Sequence, residues 1–100
     1  LVGSANALVE AIAAMSYRVT VSVKAEKEMM RLSLQGRKKI VNKIDLLADE
    51  PRTSGCLKLK GKNEELWRIR SGNYRIRYAI EEDVRIVDVR RVGDRKSIYR

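Results

Sequence analysis

The alternation between Leu66 and Tyr78 constrains this chain more than any other stretch of it. Successive side chains of a strand point to opposite faces. Arg68 and Arg70 therefore share one face of a first strand, while Trp67 and Ile69 fill the other. After a turn at Ser71-Gly72-Asn73, Arg75 and Arg77 share one face of the next strand, against Tyr74, Ile76 and Tyr78. Guanidinium groups crowded on one face repel one another and weaken the compact state. The arrangement makes sense where a polyanion sits on it, so the stretch reads as a phosphate cradle on an antiparallel sheet. Lys58, Lys60 and Lys62 lead into it, and Arg95 to Tyr99 complete it.

Charge is distributed accordingly. The chain carries a formal +9, and residues 51–100 hold 14 Lys and Arg against 7 Asp and Glu, whereas residues 1–50 hold 8 against 6. The strand-rich half is the basic half, which points to nucleic acid; an acidic protein partner fits the same charge. With one hundred residues there is room for one domain, and with no Phe the core falls to Val, Ile, Leu and Met. Cys56 stands alone and there is no His. A disulfide framework is therefore ruled out and a zinc site nearly so. The solitary thiol suits a reducing cytoplasm. No apolar run is long enough to span a membrane. Glu10 interrupts the only stretch resembling a secretory leader, which also lacks a basic start.

Residues 1–14 are Ala-rich and contain no Lys or Arg, with Leu8, Ile12 and Met15 at helical spacing. They read either as an upstream extension or as a helix docking on the domain, and Met15-Ser16-Tyr17 reads as the start of the domain proper, 15–100. Tyr17 to Val23 alternates as a half-buried strand. Lys24 to Leu34 switches to helical spacing, with Ala25, Met29 and Leu32 on one stripe and Gly36 just past the helix end. A second helix is predicted over Arg37 to Ala48, with Ile40, Ile44 and Leu47 inward and Arg37, Lys38, Lys39 and Lys43 outward, ended by Pro51. Residues 52–63 read as a loop. Three strands follow, Leu66–Ser71, Tyr74–Glu81 and Val84–Val92, joined by turns short enough only for hairpins, with Gly93 breaking the last. The apolar residues on both faces of that last strand suit a central position. The expected class is α+β: an N-terminal strand, a two-helix hairpin, an antiparallel three-strand meander and a short C-terminal tail.

Several segments at these spacings are similar to those of the RelE/ParE toxin superfamily of type II toxin–antitoxin systems. They are Asp49-Glu50-Pro51-Arg52, Leu57-Lys58-Leu59-Lys60-Gly61, Trp67-Arg68-Ile69-Arg70, Gly72-Asn73-Tyr74-Arg75-Ile76-Arg77-Tyr78, and Arg95 through Tyr99-Arg100. The resemblance spans residues 17–100 and implies the same β-α-α-β-β-β order. It implies one of two targets. RelE-like members are ribosome-dependent endoribonucleases that cut mRNA in the A site, whereas ParE-like members inhibit DNA gyrase without catalysis. A third reading is a nucleic-acid-binding module that acts with an antitoxin as operon corepressor, reaching operator DNA only through that antitoxin. Carried over by motif, Arg68, Arg70, Arg75, Arg95 and Tyr99 occupy the catalytic positions of the RelE-like enzymes, which favours the nuclease. The expected partners are a cognate acidic antitoxin, the ribosome and mRNA. One departure stands out: many relatives have His where this chain has Asp94, which replaces an acid/base candidate with a negative charge beside the cradle.

The chemistry agrees with the residue types. RNA carries its own nucleophile, the 2′-hydroxyl, so cleavage needs in-line positioning, a base, charge neutralisation and an acid for the leaving oxygen. DNA hydrolysis generally recruits metal ions or a covalent nucleophile. Acidic residues here fall mostly in turns (Glu64-Glu65, Glu81-Glu82-Asp83), so the reading is RNA cleavage with no metal and no cofactor. In this scheme Tyr99 is the base. A phenol ordinarily titrates near pH 10, so it needs neighbouring guanidiniums to favour its phenolate. Arg68, Arg70 and Arg75 clamp phosphate, and Arg95 assists the leaving oxygen. Lys58, Lys60, Lys62, Lys38 and Lys39, with Arg77, read as further RNA contacts. Trp67, Tyr74 and Tyr78 fall opposite the arginines and read as core.

Overall fold

The computed structural model of the chain describes residues 16–60 and 65–94. The N-terminal stretch 1–14, Lys62, Arg95, Tyr99 and the C-terminal tail lie outside the described residues. Seven elements follow in order: β1 (Arg18–Val21), α1 (Val23–Met30), α2 (Leu34–Asp49), β2 (Leu57–Leu59), β3 (Leu66–Ser71), β4 (Tyr74–Glu81) and β5 (Ile86–Asp94). They build one five-stranded sheet in the order β1-β5-β4-β3-β2. β1 runs parallel to β5, and the remaining neighbours are antiparallel. The expected α+β meander is present, and β5 is indeed interior to the sheet.

One face of the sheet carries the core. Ala25 from α1 and Ile40, Ile44 and Leu47 from α2 cluster with Ile69, Ile76, Tyr78, Ile80, Val87, Val89 and Val92. Eight of these eleven are fully inaccessible to solvent, and Ile44, Ile69 and Ile80 nearly so. Each buried aliphatic side chain contributes about 1.5–3 kcal/mol, so this single layer of contacts holds the helices on the sheet. Tyr78 also donates its hydroxyl to the carbonyl of Pro51, 2.6 Å away, tying the end of α2 to the middle of β4.

Six local expectations are corrected. The first strand stops at Val21, not Val23, because the Ser22 hydroxyl accepts from Ala25 N and caps α1 at its N-terminus. Likewise Ser33 accepts from Gly36 N, so α2 begins at Leu34 and α1 ends four residues earlier than its apolar spacing predicts. Gly36 is therefore inside α2, not past the end of α1. A Cβ there would collide with Tyr74, whose Cζ would lie 2.6 Å from it. Arg37 does not face outward. It donates from Nε to Met29 O and from Nη2 to Met30 O and Leu32 O, closing the last turn of α1. Within the expected 52–63 loop, Leu57–Leu59 forms the edge strand β2 by pairing with Leu66–Arg68. Finally, β5 continues through Gly93 to Asp94, because Gly93 still pairs with Arg75.

The β3–β4 hairpin has a two-residue turn with Gly72 first at φ 60°, which a type II′ turn requires and a side chain resists.

Two outcomes follow from this packing. Gly36→Ala destabilises the fold by about 1–3 kcal/mol through overpacking against Tyr74, although alanine favours a helix; urea denaturation measures the loss. Tyr78 is held neutral well above the usual phenol range, chiefly by burial. Its contribution to stability is therefore complete below about pH 10, where the unfolded phenol begins to ionise, and declines as pH rises through the folded value. Tyr78→Phe costs about 1–2 kcal/mol at neutral pH, from the lost hydrogen bond. It also flattens the alkaline decline in melting temperature.

Candidate nucleic-acid interface

The register of the hairpin decides where the arginines stand. Arg68 is directly opposite Arg77, and Arg70 is opposite Arg75. Directly opposed residues share a face, so all four guanidiniums project from the side away from the helices. Their neighbours in the chain, Ile69, Ile76 and Tyr78, are buried on the helix side. The core thus fixes the arginine face by alternation, as the sequence implies.

β5 adds a residue that strict alternation conceals. Arg77 pairs with Arg91, whereas the next residue of β4, Tyr78, pairs with Val89, leaving Arg90 as the extra residue of a bulge. The bulge re-phases the strand. Val87 and Val89 before it and Val92 after it all reach the core, and Arg91 joins the arginine face. Arg68, Arg77 and Arg91 therefore form one row across three strands. The signal was legible in the three-residue step from Val89 to Val92, which breaks a period of two.

These guanidiniums differ in setting. Arg75 is only 7% exposed, and its Nε has no hydrogen-bond partner among the described residues. Arg68 and Arg77 are half-buried and Arg70 is exposed. Arg91 is gripped by Glu28 of α1, from Nη2 at 2.9 Å and from Nε at 3.1 Å. Glu28 also accepts from Val92 N. Arg90 donates from Nε to Asp88, 2.6 Å away, and Asp88 accepts from Thr20 as well. Carboxylates thus orient the β5 arginines, while the β3–β4 set forms the concentrated positive field.

The lysines are placed otherwise. Leu57 pairs with Arg68 and Leu59 with Leu66, so leucines, not lysines, border the arginines on β2. Lys58 pairs with Trp67 and so takes the opposite side, and Lys60 is exposed just beyond the strand. Lys38 and Lys39 belong to α2 on the helix-covered side, where the Lys39 carbonyl accepts from Ser71 in the β3–β4 hairpin. Asp94 pairs with Tyr74, and the alternation that assigns Arg75 and Gly93 to the cationic face assigns Asp94 to the other. Tyr78 is core; Tyr74 and Trp67 pack against it from partly exposed positions.

A separate acidic cluster engages Arg52. Its guanidinium donates to Glu65 at 2.6 Å and to Glu82 at 3.0 Å, and lies 5.9 Å from the Trp67 ring centre. Partial burial works against its charge, yet Glu65 and Glu82 hold it above the ordinary guanidinium range. Tyr17 donates to Glu82 at 2.5 Å; that bond, followed by Arg52, pulls the Glu82 carboxyl below its usual range. A hollow of about 450 Å³ beside this cluster is bordered by Glu65, Glu81, Glu82 and Asp83. Its carboxylates repel anions, in contrast to the arginine face. Among the described residues no group of His, Cys, Asp and Glu is arranged to hold a metal ion.

Comparison with known proteins places this geometry among relatives. The profile of the family described as "ParE toxin of type II toxin-antitoxin system, parDE" matches residues 19–99. A protein of Methanocaldococcus jannaschii bearing the toxin name RelE1 is 27% identical over 89 residues, covering 86% of this chain and 98% of its own. The archaeal RelE–RelB complex from Pyrococcus horikoshii contains a chain that superposes with a TM-score of 0.72 at 24% identity. That match covers 80% of this chain and 96% of the other. The RelB–RelE complex from Methanococcus jannaschii gives 0.63 at 28% identity, covering 80% and 94%.

A buried guanidinium lacking an acceptor is a stability defect, and replacing such a charge by a well-packed apolar side chain is often stabilising by about 1–4 kcal/mol. Arg75→Met is therefore expected to raise the melting temperature of the free protein. Polyphosphate stabilises the wild type at low salt and stabilises the variant less. Calorimetry at two ionic strengths checks both outcomes.

Proposed function

The chain belongs to the ParE toxin family of type II toxin–antitoxin systems, and from that premise we propose that it is an endoribonuclease that cleaves mRNA in the ribosomal A site. The observation that carries this reading is the pair of opposed arginine couples, Arg68–Arg77 and Arg70–Arg75, on the sheet face that the helices leave uncovered. A toxin that worked only by docking on a protein would gain little from burying the Arg75 guanidinium at the centre of that face without an acceptor for its Nε. A phosphodiester laid on that face meets the Arg75 charge, which no carboxylate among the described residues pairs.

In the proposed reaction the strand lies across β3 and β4, with Arg68, Arg70 and Arg75 around one phosphate. They bear the negative charge that grows on the non-bridging oxygens as the 2′-hydroxyl attacks. Arginine stays protonated throughout, so its part is electrostatic. Tyr99, as its phenolate, takes the 2′-hydroxyl proton; Arg95 steadies the departing 5′-oxygen by its charge, and solvent water protonates that oxygen as the P–O bond breaks. The products are a 2′,3′-cyclic phosphate and a free 5′-hydroxyl, and no metal enters. Lys58 and Lys60, exposed at the β2 edge, and Lys38 and Lys39 on α2 contact ribosomal RNA at the periphery. Arg77 holds the strand beside the cradle.

The antitoxin reading also carries over by relationship, since the Methanococcus jannaschii relative was solved with RelB. A cationic face of this kind suits an acidic segment that folds on binding. The second reading, gyrase inhibition, is favoured by the ParE description of the matching profile. It predicts DNA breaks with intact messages.

Mapping of RNA 5′ ends after induced expression separates the two. Wild type yields cuts within codons of translated messages. Arg75→Ala lowers the cleavage rate on programmed ribosomes about 10²–10³-fold, as expected for removing a group that stabilises developing charge. Tyr99→Phe, combined with Arg95→Ala, relieves toxicity. Undiminished toxicity in that double variant, or DNA breakage without mRNA cleavage, rejects the nuclease.

A further inference from the structure

The arginine row has an apolar neighbour. Along the strands, two residues from the row Leu57–Arg68–Arg77–Arg91, the same face carries Leu59, Leu66 and Ala79. The two rows are about 7 Å apart, two steps of a strand. Between them lies a groove of about 200 Å³, lined among the described residues by Leu59, Leu66, Trp67, Arg77, Arg90 and Arg91. Leu59 and Leu66 are half-buried, so the groove has an apolar floor and a cationic rim. Pockets for drug-sized molecules hold about 300–1,000 Å³; this one takes a single planar ring system.

We propose that this groove seats one nucleobase of the RNA strand, that of a nucleotide adjoining the phosphate held by Arg68, Arg70 and Arg75. The proposal rests on the nuclease reading above and extends it to a second nucleotide. Three observations converge on it. The leucine row lies only two residues along the strands from the Arg68–Arg77 row, so a base hanging from a strand bound on the arginines falls on Leu59 and Leu66. Base faces are apolar and base edges are rich in acceptors, matching a leucine floor and a guanidinium rim. The rim is also braced, Arg91 by Glu28 and Arg90 by Asp88, so its donors are positioned before a base arrives. An extended acidic peptide is the competing occupant. The size of the groove, enough for one ring system beside a concentrated phosphate site, favours the base.

The test uses ribosomes programmed with messages in which each A-site nucleotide is replaced in turn by an abasic ribonucleotide, which keeps its 2′-hydroxyl. Single-turnover cleavage gives the half-saturating enzyme concentration and the maximal rate. With wild-type enzyme one abasic position raises the half-saturating concentration about tenfold, the typical worth of one seated base. Leu66→Ala and Leu59→Asn each show that rise already on the intact message and no further rise on the abasic one. This lack of additivity is the signature of a direct contact. Two substitutions on different strands guard against a folding defect in either, and thermal melts verify each. Equal cleavage of every abasic message by wild type, or full additivity in both variants, overturns the proposal while leaving the nuclease intact. So does a result in which the leucine variants lose antitoxin affinity but cleave like wild type. If wild type cleaves no message at all, the nuclease reading fails and the subsite with it; cleavage that Arg75→Ala slows by the same factor on intact and abasic messages shows the nuclease standing whatever becomes of the subsite.

Discussion

Ile76 and Tyr78, both inaccessible to solvent, anchor β4 on the helix side and thereby decide where Arg75 and Arg77 stand. In a strand the two faces are not independent. A one-residue slip would expose the aliphatic layer and bury two cations. The cost of such a slip, several apolar side chains at about 1.5–3 kcal/mol each, far exceeds what mutual repulsion among the arginines can oppose at a half-exposed surface. The core therefore compels the cationic face to exist, and Tyr78, through its bond to Pro51, ties that decision to the end of α2.

The edge of β5 is handled by α1. β1 pairs with β5 only as far as Val21 opposite Val89, and among the described residues the end of β5 has no strand neighbour on that side. Unpaired backbone groups at such an edge invite association with other strands. Here Ser22 N donates to Val89 O, the Ser22 hydroxyl donates to Arg90 O, and Glu28 accepts from Val92 N. The same Glu28 grips Arg91. One short helix thus caps the sheet edge and orients a member of the arginine row, linking backbone satisfaction to the geometry of the cationic face.

A surface of this kind embodies a trade between stability and function. Arg75, 7% exposed and with no partner for its Nε among the described residues, would be better replaced by a neutral residue if folding were the only requirement. In a family of toxins that work beside an antitoxin, such a concentration of charge has two uses in the proposed reading: to grip a phosphodiester and to give an acidic segment something to cover. The acidic cluster around Arg52 is far from redundant in this respect. It holds the carboxylates of Glu65 and Glu82 near the β4–β5 turn, where they pair with Arg52 and not with the arginine face.

Much was legible in the chain because strand and helix periods leave a strong mark. The alternation through Trp67–Arg70 and Tyr74–Tyr78, the inward stripes Ala25-Met29-Leu32 and Ile40-Ile44-Leu47, and the segregation of positive charge into the second half all follow from local geometry. Helix boundaries were less legible. Ser22 and Ser33 compete for the backbone with the apolar spacing that runs through them, and the hydroxyl won in both places. Gly36, which reads as a stop signal, is small because the Tyr74 ring lies against it from a strand 38 residues later in sequence. The short strand β2 has too few residues to show a period, and it exists because β3 offers it a free edge. The bulge at Arg90 leaves a mark in the sequence, the three-residue step from Val89 to Val92, but that Arg91 meets Arg77 is decided only when β4 and β5 are laid side by side. By itself the sequence determined which residues carry charge and which carry grease, since those are properties of single side chains at regular spacing. The folded sheet decided which charges meet, because register, bulges and edges are set by partners distant along the chain, whose pairing no local pattern records.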